Sequence, residues 1–250
     1  MKIHAVIPAR LASSRLPEKL LLQVGGRSVL QHTYDAVSQA KGIEQVTVAV
    51  DDPRLAQEVD GFGGNALMTS LDCQSGTDRV AEVAQAWPDV EIFVNVQGDE
   101  PEIDPAAIEL VAQLLADHPE ASIATVATPI RAMEPLNDPN CVKVVVGTGG
   151  EGLYFSRSPI PHVRGGVTAA ALEAEPPLFW QHVGLYAYRR SFLLWFAQQP
   201  PAALEQAEKL EQLRALATGH KIIVGRVDSA ATGIDTLDDF EAFCQRFERK

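Results

Sequence analysis

Through its first 130 residues the chain alternates short β-branched runs with stretches of helical periodicity, and this alternation narrows the possible folds more than any other feature. Ile3–Ile7 and Gln45–Val50 read as buried strands. Ser28 can cap a helix running to about Ala40, with Gly42 as its stop. Asp52-Pro53 has the form of a cap followed by a first-turn proline. From about Thr77 to Ala86 another helix is expected, because Val80, Val83, Ala84 and Trp87 fall at i, i+3, i+4 and i+7. Glu91–Val96 is the next strand, Ile108, Val111, Ala112 and Leu115 repeat the helical stripe, and Ala121–Thr128 is a further strand. This order predicts an α/β fold: a three-layer α/β/α sandwich around a mostly parallel, Rossmann-like sheet. Ligands of such sheets bind beyond the carboxyl ends of the strands.

The second half breaks the rhythm. Val142–Val146, a Gly149-Gly150 turn and Leu153–Ser156 read as a β-hairpin of a smaller mixed β lobe. A stretch containing Pro159, Pro161, Gly165, Gly166, Pro176 and Pro177 reads as irregular loop. Val183–Tyr188 is expected as a strand, Ser191–Gln198 as a short helix and Leu204–Ala217 as one longer helix stopped by Gly219. Lys221–Val227 returns to strand, and Thr236–Arg249 closes the chain as an amphipathic helix.

Acidic side chains outnumber basic ones, 33 to 21, for a formal net charge of -12. Coating a nucleic acid requires clustered Lys and Arg, so that class is disfavoured and any bound phosphate needs a local basic cluster or a metal ion. The first residues lack the apolar run of a signal peptide, and no stretch approaches the roughly 20 apolar residues of a membrane span. Cys73, Cys141 and Cys244 are odd in number and widely spaced, which points to ordinary thiols in a reducing cytoplasm.

The local basic cluster follows the first strand, where the sheet's ligand is expected. Pro8 to Lys19 reads PARLASSRLPEK, with Arg10, Arg15 and Lys19 in ten positions. The chain average of 21 in 250 predicts about one per ten. Arginine forks, a movable lysine charge and the Ser13 and Ser14 hydroxyls suit phosphate oxygens, although a solvated basic turn would have the same composition. Neither GxxxxGK[ST] nor GxGxxG is present, which weakens the ATPase and dehydrogenase readings. Further on, Gln74-Ser75-Gly76-Thr77-Asp78-Arg79 precedes a helix and serves either as a ligand wall or as a plain cap. Asn95-Val96-Gln97-Gly98-Asp99-Glu100-Pro101 ends a strand, where a carboxylate after a glycine suits a hard metal or a polar turn.

These segments together resemble the signatures of the 3-deoxy-manno-octulosonate (Kdo) cytidylyltransferases, within the sugar nucleotidyltransferases. Ile7-Pro8-Ala9-Arg10 with Ser14-Arg15-Leu16-Pro17 and Lys19 is similar to the family's triphosphate loop. One departure stands out, because the family carries Gly-Lys-Pro where this chain has Glu18-Lys19-Leu20. Glu18 lacks glycine's freedom at positive φ and brings an anion beside the phosphates. QSGTDR resembles the cytosine and ribose motif, and NVQGDEP the metal motif with Asp99 as central ligand. Gly233-Ile234-Asp235-Thr236 is similar to the segment carrying the second carboxylate; by itself Asp235 merely flanks the cap Thr236.

On the sugar side, Tyr154-Phe155-Ser156-Arg157, His182-Val183-Gly184-Leu185-Tyr186 and Leu210-Glu211-Gln212-Leu213-Arg214 also match family segments. The resemblance implies a nucleotide-diphospho-sugar transferase fold and transfer of CMP from CTP to the anomeric hydroxyl of Kdo, for lipopolysaccharide synthesis. It implies catalytic roles for Arg10, Lys19, Asp99 and Asp235, with Asp99 and Asp235 holding Mg²⁺. Nucleotide contacts are expected from Ala9, Arg10, Ser13, Ser14, Arg15, Lys19, Ser75, Gly76 and Gln97. Sugar contacts are expected from Arg79, Gln97, Arg157, His182, Tyr186 and Glu211, with Arg157 gripping the carboxylate bidentately. The implied organisation is one domain over 1–250: a nucleotide half to about 130, a sugar-binding and dimerisation half over 131–227, and a returning metal loop with the last helix over 228–250. A homodimer through the 150–200 region follows from the same resemblance. Alternatives are the same chemistry on 8-amino-Kdo or a nonulosonic (sialic-type) acid, and a non-catalytic nucleotide-binding regulator.

Overall fold

A computed structural model describes residues 1–249. The first half runs β1 (Ile3–Ala9), β2 (Gln23–Val24), β3 (Arg27–Ser28), α1 (Val29–Val37), β4 (Gln45–Val50), α2 (Pro53–Gly61), β5 (Ala66–Met68), α3 (Gly76–Ala86), β6 (Ile92–Asn95), α4 (Pro105–Asp117) and β7 (Ala121–Pro129). The second runs α5 (Met133–Asn137), β8 (Lys143–Val146), β9 (Gly152–Ser156), α6 (Ala169–Leu172), β10 (Trp180–Arg189), α7 (Arg190–Phe196), α8 (Ala203–Glu208), α9 (Gln212–Ala217), β11 (Lys221–Arg226) and α10 (Leu237–Phe247). Among the described residues no helix is long and apolar enough to cross a membrane.

The main sheet has the order β11-β7-β10-β6-β1-β4-β5. β1 pairs in parallel with both β4 and β6, β4 with β5, and β11 with β7. Only β10 runs against its neighbours β6 and β7, and its first residues also carry β8 of the β8–β9 hairpin. The chain therefore leaves β1 toward β4 and β5, then returns to its other side at β6. That reversal opens a crevice at the carboxyl ends of β1 and β6, where ligands of such sheets sit.

Side chains alternate between the two faces of the sheet with the two-residue strand period. Ala5, Ile7 and Ala9 of β1 join Ile92 and Val94 of β6 in the core beneath α1, α2 and α4. Val6 and Phe93 face the opposite core, with α3, α7 and α9. Ile7, Val48, Val50 and Val94 are fully buried, each contributing about 1.5–3 kcal/mol of transfer free energy.

Local caps set several boundaries as expected. Ser28, Asp52 and Thr236 accept the backbone N–H of Gln31, Arg54 and Asp239 respectively. Helix α1 ends at Val37, three residues before the expected end at about Ala40. The single helix expected over Leu204–Ala217 is instead two, because Lys209 takes φ 55°, ψ 48° and turns the chain left-handed between α8 and α9. At that break the Glu205 carboxylate receives Arg214 Nε at 2.8 Å and Nη2 at 2.5 Å. Arg214 also lies 4.3 Å over the Phe196 ring, which packs its guanidinium against the core.

Candidate active site

Three loops converge at the β1/β6 crevice. The loop after β1 brings Arg10, Ser13, Ser14, Arg15 and Lys19; the turn after β6 brings Gln97, Gly98 and Asp99; the segment returning from β11 brings Asp235. Gly98 allows the turn to press against the first loop, since a Cβ there would lie 3.1 Å from the Pro8 carbonyl oxygen. Ile234 N–H donates to the Asp99 carbonyl at 2.8 Å, which anchors the returning segment beside the turn. Residues 136 positions apart thereby share one site.

Lys19 is its hub. Its Nζ donates to Asp99 Oδ2 and, at 2.8 Å, to Asp235 Oδ1, while Arg15 Nη2 lies 2.9 Å from Asp235 Oδ2. Burial works against the Lys19 charge, yet Asp99 and Asp235 together raise its pKa. Two carboxylates reaching one cation from separate loops supply the hard oxygen donors that Mg²⁺ takes, with phosphate oxygens and water completing its shell. No cluster of three or more His, Cys, Asp or Glu side chains among the described residues could hold an ion alone. The donor set therefore fits a metal brought in with a polyphosphate.

Beside the lysine lies a cavity of about 300 Å³, lined by Arg10, Ser13, Ser14, Arg15, Gly76 and Gln97 as well as both aspartates. It shares Ala12, Ser13 and Ser14 with a wider cleft of about 750 Å³. Leu11, Pro17, Glu18, Asp51, Asp52, Arg54 and Leu71 complete that cleft. Ala9 closes β1 and is buried in the core. Ser75 caps α3, its hydroxyl accepting Asp78 N–H at 3.2 Å, while Gly76 faces the cavity.

The sugar-side candidates form an adjoining cluster. Tyr186 pairs in register with Asn95, at the end of β6 that leads into the aspartate turn. His182 and Tyr186 rings lie 5.3 Å apart, and Tyr186 stacks on Tyr188 at 5.7 Å. Glu211 accepts the Thr77 hydroxyl at 2.7 Å, next to cavity-lining Gly76, so the two clusters meet at the start of α3. His182 Nε2 is 3.0 Å from Thr125 Oγ1, and burial pulls its pKa down to about 3. Burial also raises the Tyr186 and Tyr188 phenols, leaving three neutral hydrogen-bonding groups at pH 7.

Two of the expected sugar contacts, Arg79 and Arg157, have guanidinium donors engaged by other groups of the protein. Arg79 points inward, 1% exposed, with Nη1 on Thr69 Oγ1 at 2.6 Å and Nη2 on Asp51 Oδ2 at 3.1 Å. The acid that binds it is fixed in turn, since Asp51 Oδ1 accepts Leu11 N–H at 2.9 Å and ties down the first loop. Arg157 directs Nε to the Glu208 carbonyl at 2.8 Å and Nη1 to the Pro139 carbonyl at 2.9 Å. It braces the end of β9 against α8, and those donors are not directed at the cavity.

The cytidylyltransferase family model matches residues 4–222. The chain belongs to the cytidylyltransferase family. A 3-deoxy-manno-octulosonate cytidylyltransferase of Rhodopirellula baltica is 63% identical over 99% of both chains. Another, of Geobacter sulfurreducens, is 46% identical over 99% of this chain and all of its own. A solved CMP:2-keto-3-deoxy-manno-octonic acid synthetase complexed with CTP matches with TM-score 0.92 and 42% identity, covering 100% of this chain and 99% of that one.

In this cytidylyltransferase Glu18, where the sequence departs from the family, adopts φ 53° and ψ 29°, the left-handed conformation that glycine takes freely. Its carboxylate accepts Arg54 Nη1 at 2.7 Å. Arg54, Asp51, Thr77 and Glu100 are not among the residues expected at the site from sequence, yet they border it. Glu100 stood in plain view inside NVQGDEP; burial and then the Asp99 charge push it up to about 8. Thr77 likewise stands inside QSGTDR, whereas Asp51 and Arg54 lie in no such motif and only the fold brings them to the site.

Proposed function

We propose that this cytidylyltransferase transfers CMP from CTP to the anomeric hydroxyl of Kdo, releasing pyrophosphate. The observation that carries the proposal is the convergence of Asp99 and Asp235 on Lys19 beside the basic loop. Arg10, Ser13, Ser14 and Arg15 would receive the triphosphate, and Arg10 and Lys19 would stabilise charge on the departing pyrophosphate. Asp99 and Asp235 would hold Mg²⁺, whose charge when bound lowers the pKa of the attacking hydroxyl and offsets that of the phosphates. Gln97, His182, Tyr186 and Glu211 would orient the sugar through neutral donors and one carboxylate acceptor, discriminating hydroxyls rather than charge. A homodimer through residues 150–200 is part of the same proposal, supported by exposed Leu153 and Leu178 there. The scattered free thiols suit a cytoplasmic enzyme.

The test is pyrophosphate release with Mg²⁺, offering CTP against UTP and GTP, and Kdo against 8-amino-Kdo and sialic acid. CTP with Kdo is expected to give the highest kcat/KM. Release with CTP and sialic acid but not Kdo would overturn the acceptor, and no release with any pair would overturn the transfer itself.

A further inference from the structure

Both ends of the basic loop are fastened to the same corner of the fold, the junction of β4 and α2. At the first end, Asp51 accepts Leu11 N–H and is held by Arg79. At the far end the fastening is Arg54. Asp52, the cap of α2, accepts Arg54 Nε at 3.1 Å, Nη2 at 3.3 Å and its backbone N–H at 2.8 Å. With the guanidinium so fixed, Nη1 remains to meet Glu18 Oε1 at 2.7 Å.

Glu18 is one of two non-glycine residues with positive φ among the described residues, and Lys19 follows it directly. A left-handed turn disfavours a residue with a Cβ by about tenfold relative to right-handed geometry, and glycine escapes this penalty. Were Glu18 to relax, Lys19 would leave the position from which Nζ meets both aspartates. We propose that Arg54 is a positioning residue for the triphosphate loop, holding Glu18 in the left-handed turn that presents Lys19 to Asp99 and Asp235. The proposal rests on the reading that this loop receives CTP. Arg54 acts through the loop's shape, because a loop found in its competent form only part of the time binds CTP more weakly in proportion.

A kinetic double-mutant cycle on the full chain with Mg²⁺, CTP and Kdo tests this. Arg54→Ala is expected to raise KM for CTP about tenfold, with kcat and KM for Kdo within about twofold. In a Glu18→Gly background, where the turn needs no tether, the same substitution is expected to raise KM for CTP less than about twofold. Arg54→Lys, which keeps the charge and loses the fork, should fall between wild type and Arg54→Ala. An equal rise in both backgrounds would make Arg54 a direct or long-range CTP contact and overturn the tether. No rise with Glu18 present would overturn it too. Failure of the functional reading is separable, since the wild-type chain would then release no pyrophosphate from CTP in the same assay.

Discussion

On the nucleotide side, Arg10 and Arg15 stand on an exposed loop, and Lys19 meets Asp99 and Asp235 at the edge of solvent. On the sugar side, the rings of His182, Tyr186 and Tyr188 are in contact along one strand, and burial holds all three neutral at pH 7. The contrast follows what each wall is proposed to meet. A triphosphate carries charge that must be matched and released, which hydrated cations do at low reorganisation cost. Sugar hydroxyls carry none, and buried neutral donors tell them apart because an unpaired buried group is costly.

Replacing a charge on the first wall should therefore harm catalysis far more than folding. Asp99→Asn is expected to lower kcat at least a thousandfold, about 4 kcal/mol of transition-state stabilisation, in pyrophosphate release. Its thermal midpoint should stay near that of wild type, and full activity would break the contrast outright.

Acid should act on the second wall first. His182 titrates near 3 in the folded chain against its ordinary 6.5, so the unfolded chain binds the proton first. Stability contributed by this group is complete above 6.5 and declines as pH falls toward 3. By pH 5 the loss from His182 is about 2 kcal/mol, readable as a lower urea midpoint than at pH 7. His4, drawn down to about 4 by burial, adds a loss in the same direction. His182→Gln should flatten part of the slope; an unchanged slope would mean the imidazole is not held neutral.

A smaller effect tests the sugar wall as a specificity device. His182→Ala should lower kcat/KM for Kdo about thirtyfold, about 2 kcal/mol, and leave KM for CTP within about twofold. Equal effects on both substrates would erase the distinction between the walls. Smallest of all, Arg157→Ala should change KM for Kdo less than about threefold and cost about 1 kcal/mol of stability, since its donors brace backbone carbonyls. A rise of a hundredfold would restore Arg157 to the carboxylate-binding role that the family resemblance implies.

Much of this arrangement is legible in the sequence alone. Gln45–Val50 is a strand at those bounds, and Ser28, Asp52 and Thr236 cap the helices they precede. These features were readable because a strand period or a cap involves only neighbours in sequence. The breaks were not. Lys209 carries no glycine signal, yet it turns left-handed between α8 and α9. Arg79 sits in a motif whose family resemblance turns it to the sugar, and Asp51, just beyond the end of β4, holds it inward.

What the sequence determined by itself was the α/β alternation, the caps and the presence of a basic loop and two candidate acids, all properties of local pattern and residue chemistry. Only the tertiary structure decided that Asp99 and Asp235 meet at Lys19, that β10 enters the sheet reversed, and that Glu18 can stand where glycine is expected. Each depends on partners tens of positions away or more, and such contacts arise from strand order and packing, which a linear pattern does not encode.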